Sequence, residues 1–229
     1  MHDELIVYNR PKSSISENIR TIRTNLQFTN VDGDVKLLLI TSSISGEGKS
    51  FISSNLAVSF AQTGKKVLLI DCDIRKGRVH KIFGIPDDNN VGLSNLLIDD
   101  WLINDAKDNI KKYVVKTKIP NLYLIPRGTI APNPSELLGS NQAKKLFALL
   151  RTKFDYVILD CSPTIGLPDA LILARLADKV LIVSAIDYTP IDMLVNTKKS
   201  LEGVDASIAG VVVNKVKGSS SSYYSKYYE

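Results

Sequence analysis

The chain is poor in the features that would place it in a membrane, in an oxidising compartment or on nucleic acid. Its 229 residues include two cysteines, Cys72 and Cys161, too few for a disulfide framework and without metal-ligand spacing. Each follows an aspartate at the end of an apolar run. The residues alone read as small buried apolar side chains, with a redox role as the less favoured alternative. No hydrophobic run approaches the ~18–20 residues that span a bilayer, and the N-terminus has no signal-peptide pattern. A cytoplasmic location is therefore expected. Charge of one sign is not in great excess either: 29 Lys and Arg against 24 Asp and Glu give a net +5. That is too modest and scattered to argue for nucleic acid, and no nucleic-acid partner is expected. Lys111, Lys112, Lys116 and Lys118 form a loose cluster of the kind that is usually a solvated face. A weak attraction to an anionic membrane surface is compatible with it.

What remains is ordinary for a soluble globular protein: 44% hydrophobic and 23% charged residues, with length for one α/β domain and a buried core. Short β-branched and Leu-rich runs recur at 37–41, 67–71, 122–126, 156–160, 180–185 and 208–213. They are apolar throughout, which suits parallel strands buried on both faces. Helical segments are expected at about 49–63, 92–112 in broken form, 135–152, 169–176 and 190–202. This alternation predicts a doubly wound, mostly parallel sheet with ligands at the carboxyl ends of its strands. Before it, Ile15, Ile19, Ile22 and Leu26 fall at helical spacing over residues 13–28. After it, residues 218–229 have four adjacent serines and no aliphatic residue. They cannot bury enough surface to offset their ordering entropy and read as a mobile tail beyond a 1–217 domain.

The chemistry is concentrated at strand ends. Leu37 to Ser50 is an apolar strand running into Ser43-Ile44-Ser45-Gly46-Glu47-Gly48-Lys49-Ser50, the ending of a phosphate-binding P-loop with Ser43 where the first glycine belongs. Gly46 and Gly48 allow close backbone approach, and N–H groups at the next helix's first turn favour negative charge. Residues 43–51, from Ser43 through Phe51, are expected to wrap a triphosphate, with Lys49 on the β/γ-phosphates and the Ser50 hydroxyl on Mg²⁺. The strand at 67–70 ends in Asp71-Cys72-Asp73, and that at 156–159 ends in Asp160. An aspartate after four apolar strand residues is the Walker B arrangement, whose carboxylate holds the Mg²⁺ shell. Alone it is weak, because strands often end in Asp for turn reasons. Asp71 is the candidate for a magnesium contact or for the base that accepts a hydroxyl proton. Asn214-Lys215-Val216-Lys217 opens like a guanine-reading motif but ends in a donor-only lysine, which favours ATP. Asn214 is a candidate contact to the adenine edge or, equally, a strand-end cap.

At this point the chain resembles the bacterial tyrosine kinases of capsule and exopolysaccharide synthesis, in their Gram-positive, stand-alone form. The match rests on the segments 16–25, 46–50, 68–76, 132–138 and 160–163, and on the tyrosine tail. The resemblance implies the P-loop fold shared with ParA/MinD-like ATPases and an ATP-dependent autokinase acting in trans on its own C-terminal tyrosines. Lys49 and Ser50 then belong to Walker A, Asp71 and Asp73 to an extra Walker A′ motif, and Asp160 to Walker B. Glu17, Arg20 and Arg23 match the helix motif, over about 14–28, through which such kinases form rings, here expected as an octamer. A membrane-bound activator, recruitment to the inner face of the membrane, and a cognate tyrosine phosphatase are implied with it. Ser45 and Gly77 stand where prolines are usual, and Cys161-Ser162 replaces a usual Thr-Pro. These departures bear on loop rigidity and not on any phosphate or metal ligand.

Two further readings bear on the acceptor and on the rival. Four of the nine tyrosines, Tyr223, Tyr224, Tyr227 and Tyr228, lie in the last seven residues, as phosphoacceptors or as a merely sticky tail. A nucleotide-switched positioning ATPase would share the sheet and both aspartate motifs. It would also carry an extra lysine early in the loop, where this chain has Ile44.

Overall fold

The computed structural model describes residues 3–28, 35–87, 91–99 and 110–216. The elements in chain order are α1 (Ile6–Asn9), α2 (Ser14–Phe28), β1 (Leu37–Ser42), α3 (Lys49–Ala61), β2 (Val67–Asp71), α4 (Val79–Ile82) and α5 (Leu93–Ile98). They continue with β3 (Val115–Lys116), β4 (Leu122–Ile125), α6 (Pro134–Gly139), α7 (Asn141–Lys153) and β5 (Tyr156–Asp160). The last are α8 (Asp169–Ala174), β6 (Lys179–Ala185), α9 (Ile191–Glu202) and β7 (Ile208–Asn214).

Six of the seven strands are the apolar runs of the sequence, and these six pair in parallel in the order β4-β2-β5-β1-β6-β7. Successive side chains of a strand point to opposite faces, and both faces here are covered. Leu37, Leu39, Leu68, Ile70, Val157 and Leu159 pack under α5 to α8. Leu38, Ile40, Val67, Leu69 and Ile158 pack under α1 to α4. This is why the runs of β1, β2, β4, β5 and β6 are apolar throughout: nearly all their residues are buried, and burying a Leu, Ile or Val contributes about 1.5–3 kcal/mol. β7, expected to be buried on both faces, is instead half-buried at the end of the strand order, with Val211 and Val213 exposed. The doubly wound sheet expected from the sequence is the observed one.

Three short elements have no counterpart in the expected set. β3 is a two-residue antiparallel edge on β4, and α1 and α4 have four residues each, too few to show a period. The helix expected over 135–152 is two helices. Ser140 is extended at φ −65°, ψ 158°, and its Oγ accepts the Ala143 N–H to start a new helix. In α2 the Ser13 hydroxyl caps the Ser16 N–H at 3.2 Å, while Ile19 and Leu26 are buried. No helix among the described residues is long and apolar enough to cross a membrane. The tyrosine tail and Lys217 lie outside the described residues.

Candidate phosphate-binding and carboxylate site

The sheet order places the three motif-bearing strands side by side. β1 carries the loop, β5 pairs with it, and β2 pairs with β5 so that Asp71 and Asp160 are register partners. The loop closes on Gly48, whose left-handed φ of 98° only glycine takes easily, and α3 starts from it without a side-chain cap. The first N–H groups of a 13-residue helix are thereby left for an anion. A Cβ at Gly48 would also lie 2.1 Å from Asn214 Nδ2.

The loop is held from behind. Glu47 is fully buried. Its Oε2 accepts the Ile44 N–H at 2.6 Å, and its Oε1 accepts the Thr189 hydroxyl. Asn214 Nδ2 donates to the Glu47 carbonyl at 2.9 Å, and the Tyr188 hydroxyl donates to the Ser45 carbonyl at 3.1 Å. These ties place the expected cofactor residues in two groups. Ser45, Gly46, Gly48, Lys49, Ser50 and Phe51 line one side of a cleft of about 600 Å³. Ser43, Glu47 and Asn214 stand behind it, with the Ser43 and Glu47 side chains buried. Asn214 is therefore a loop fastener in this arrangement. Across the cleft are Asp73, Arg75, Lys76 and Arg78, and Pro163, Ile165 and Leu167 form an apolar lip.

Two buried acids sit at the base. The Ser50 hydroxyl donates to Asp160 Oδ2 at 2.6 Å, and the Val79 N–H donates to Asp71 Oδ2 at 3.0 Å. The second oxygen of each, Oδ1, is buried and has no hydrogen-bond partner among the described residues. Burial pushes both carboxyls up. Asp71 goes well above the usual carboxylate range, helped by the neighbouring Asp160 charge. Asp160 rises to about 6, with Lys49 and the Ser50 hydroxyl pulling it back. Orphaned oxygens on two adjoining buried acids, beside a serine hydroxyl, fit a divalent cation. Among the described residues no group of three or more His, Cys, Asp or Glu could hold a metal. Such a cation would take its remaining ligands from phosphate and water.

Gly77 belongs to this base. Its N–H donates to the Asp73 carbonyl at 2.6 Å, and Asp73 Oδ1 accepts the Lys76 N–H at 2.9 Å, so Asp73 shapes the turn. An added Cβ at Gly77 would lie 2.3–2.5 Å from the Asp71 carboxylate. The departure from proline at this position is thus a packed contact, not loose chain.

Sequence reasoning missed the cluster behind Arg75. The Arg75 guanidinium bonds both oxygens of Asp169, at 2.8 and 3.2 Å, and the Ser135 hydroxyl, at 2.9 Å. Ser135 in turn donates to Asp169 Oδ1 at 2.6 Å. Burial alone would raise the Asp169 carboxyl, but the bonds from Arg75 and Ser135 outweigh it and hold it below the usual range. The signal was present in the segment 132–138, which includes Ser135 and carried the resemblance without a role of its own. Cys72 and Cys161 are fully buried, and burial raises both thiols, as suits inert core residues.

On α2 the three expected interface residues separate. Arg20 pairs with Glu17 one turn away, whereas Arg23 Nη1 donates to the Ser59 carbonyl and hydroxyl on α3, at 2.9 and 3.1 Å. Burial and the Arg20 charge lower the Arg23 pKa.

Comparison with known proteins identifies the arrangement. A family profile described as an AAA domain matches residues 35–208. Tyrosine-protein kinase YwqD of Bacillus subtilis is 38% identical over 227 residues, covering 99% of this chain and 92% of that protein. Tyrosine-protein kinase wzc of Salmonella typhi is 35% identical over 99% of this chain but 30% of its own length. Among solved structures, the chimerical protein CapA2B2 has TM-score 0.85 and 36% identity, covering 95% of this chain and 92% of that one. The septum site-determining protein MinD of Pyrococcus horikoshii, complexed with Mg-ADP, shares the fold alone: 21% identity and TM-score 0.63 over 78% of this chain and 69% of that one. The matches to tyrosine kinases extend over nearly the whole chain and so span the stretch from the loop to both aspartates. The chain belongs to the P-loop family of bacterial tyrosine-protein kinases.

Proposed function

We propose that this protein transfers the γ-phosphoryl group of ATP to tyrosines in the tail of another copy, at Tyr223, Tyr224, Tyr227 and Tyr228, and so regulates capsular or exopolysaccharide synthesis. The observation that carries the reading is the cluster at the base of the cleft: Ser50 on Asp160, next to buried Asp71, with two carboxylate oxygens unpartnered. ATP is favoured over GTP because Lys217 has no acceptor for guanine. The backbone from residue 43 to 51 and the first turn of α3 would cradle the triphosphate, with Lys49 neutralising charge on the transferring group. Mg²⁺, held by Ser50, Asp71 and Asp160, would supply electrostatic stabilisation of the phosphates. Asp71 accepts the tyrosine hydroxyl proton. Asp73 holds the turn that carries Arg75 and Lys76 to the cleft. The kinase domain covers residues 1–217, with 218–229 as its acceptor tail. Glu17 and Arg20 supply contacts for a ring of copies, an octamer. A membrane-bound activator recruits the protein from the cytoplasm to the inner face of the membrane, and a tyrosine phosphatase reverses the reaction.

The test separates donor from acceptor. A Lys49→Met chain with an intact tail is mixed with a chain whose four tail tyrosines are changed to phenylalanine, and both receive Mg-ATP and the activator's cytoplasmic segment. Phosphotyrosine on the Lys49→Met chain is expected, and neither variant alone should label. Label on isolated Lys49→Met protein would refute the role of Lys49; none in the mixture would refute transfer in trans.

A further inference from the structure

The opposite end of the sheet holds a second cavity, of about 430 Å³, that the kinase reaction does not use. Its aromatic wall comes from Tyr123 on β4 and Phe154 just before β5, which meet edge to face at 5.7 Å between ring centres. Leu150 and Val114 add aliphatic surface. The mouth is cationic. Lys66, just before β2, sets its Nζ 4.8 Å from the Phe154 ring centre and 5.7 Å from that of Tyr123. Lys116 and Lys153 lie beside it, and Lys111 is also on the wall. Lys66, Lys116 and Lys153 form no ion pair among the described residues. No carboxylate is among the described lining residues. The nearby Asp155 is turned to the Lys66 backbone N–H at 2.7 Å.

A recessed apolar wall under a ring of ammonium groups asks for a ligand with a flat apolar body and a compact anion at its tip. Phosphotyrosine has that shape, and this family makes it. We propose that the cavity is a phosphotyrosine-binding site for the chain's own tail, residues 218–229, after its modification. Charge supports this occupant. The tail carries Lys226 against Glu229, one minus one, a side-chain charge of zero, so the unmodified segment has no net charge to draw it to the lysines. Each phosphate adds about −1.5 to −2, so a single modification makes it anionic. Unmodified tyrosine would fill the aromatic wall and leave the lysines unused; free phosphate would do the reverse. The product of the reaction at one end of the sheet would thus be read at the other. An anionic membrane is the less fitting partner, because the apolar surface lies behind the lysines instead of projecting past them.

The inference rests on tail phosphorylation as read above, but synthetic peptides keep its test independent of this chain's activity. Full-length Lys49→Met protein, saturated with Mg-ADP to fill the nucleotide cleft, is titrated into labelled 218–229 peptide, either unmodified or phosphorylated at Tyr224 and Tyr227. The phosphopeptide is expected to bind at least about tenfold more tightly, with charge-assisted bonds as the source. Adding Lys66→Gln and Lys153→Gln should remove at least about tenfold of that affinity while leaving ADP binding and the thermal midpoint unchanged. Phenyl phosphate should compete at concentrations where inorganic phosphate does not. Equal binding of the two peptides, or phosphopeptide binding that survives the lysine changes, overturns the proposal. Lysine-dependent binding to phosphatidylglycerol vesicles without phosphopeptide binding overturns it in favour of a membrane surface.

Discussion

The two ends of the sheet are built on opposite terms. At the carboxyl end, polar groups are buried and hold one another through single, residue-specific bonds: Glu47 to Ile44 and Thr189, Asn214 to Glu47, Ser50 to Asp160. At the amino end, an aromatic and aliphatic wall carries lysines whose stems pack and whose charged heads reach water. In the first region each residue type is dictated by its neighbour. In the second only properties are dictated, apolar below and cationic above. The carboxyl end should therefore be brittle and the amino end tolerant.

The largest test of brittleness is Gly77→Ala. Alanine adds one carbon, and it lands on the Asp71 carboxylate, forcing either the side chain or the 73–77 turn to move. A misplacement of about 1 Å at a reacting group costs about 10²-fold in rate, and overpacking costs roughly 1–3 kcal/mol in stability. Autophosphorylation should fall by about that factor, with ATP affinity reduced far less because the P-loop is untouched. An alanine variant as active as the parent would mean that the base of the site adapts freely.

Asp160→Asn tests the same end through pH. Burial raises the folded-state pKa of Asp160 to about 6 from 3.8, so the folded chain holds this proton more tightly than the unfolded chain does. Stability from this group is present below the unfolded value and is lost as pH rises from about 4 through about 6. Asparagine carries no charge to desolvate. Without nucleotide or divalent cation, the advantage of the variant should grow across that window by on the order of 3 kcal/mol and stay level above it. Denaturant titrations at pH 4 and pH 8 would show this. An equal advantage at both values would mean that the acid is not desolvated as its burial indicates.

What the sequence revealed follows the same division. Six strands were legible as apolar runs, five of them because nearly every residue lies in the core and β7 although it is only half-buried. Lys49, Ser50, Asp71 and Asp160 were legible because P-loops and strand-end acids are contiguous signals. The ties behind the loop were not. Glu47 and Thr189 are 142 positions apart, and Arg75 and Asp169 are 94 apart; only the strand order joins them. The amino-end cavity was hidden in the same way, since Lys66 and Phe154 meet through the pairing of β2 with β5. Lys116, read from sequence as part of a solvated face, is still exposed but borders an apolar hollow. Arg23 shows the converse limit. The resemblance grouped it with Glu17 and Arg20 in one helix motif, yet its long side chain turns onto Ser59 of α3, which a motif on one helix does not encode.

The smallest effect belongs to the tolerant end, and it is the sharpest check on the contrast. Lys153 is exposed in the last turn of α7 and forms no ion pair among the described residues. Its replacement by glutamine removes a favourable interaction with the helix dipole worth about 0.3–1 kcal/mol at low ionic strength and much less in salt. It also relieves repulsion from the neighbouring lysines, which acts in the opposite direction. The two should nearly cancel, so Lys153→Gln is expected to change stability by less than about 0.5 kcal/mol. The residual should shrink further between low and physiological salt. Paired denaturant titrations at two salt concentrations would measure it. A loss as large as that of Gly77→Ala would show that the lysine ring is as specifically built as the P-loop, and the contrast between the two ends would fail.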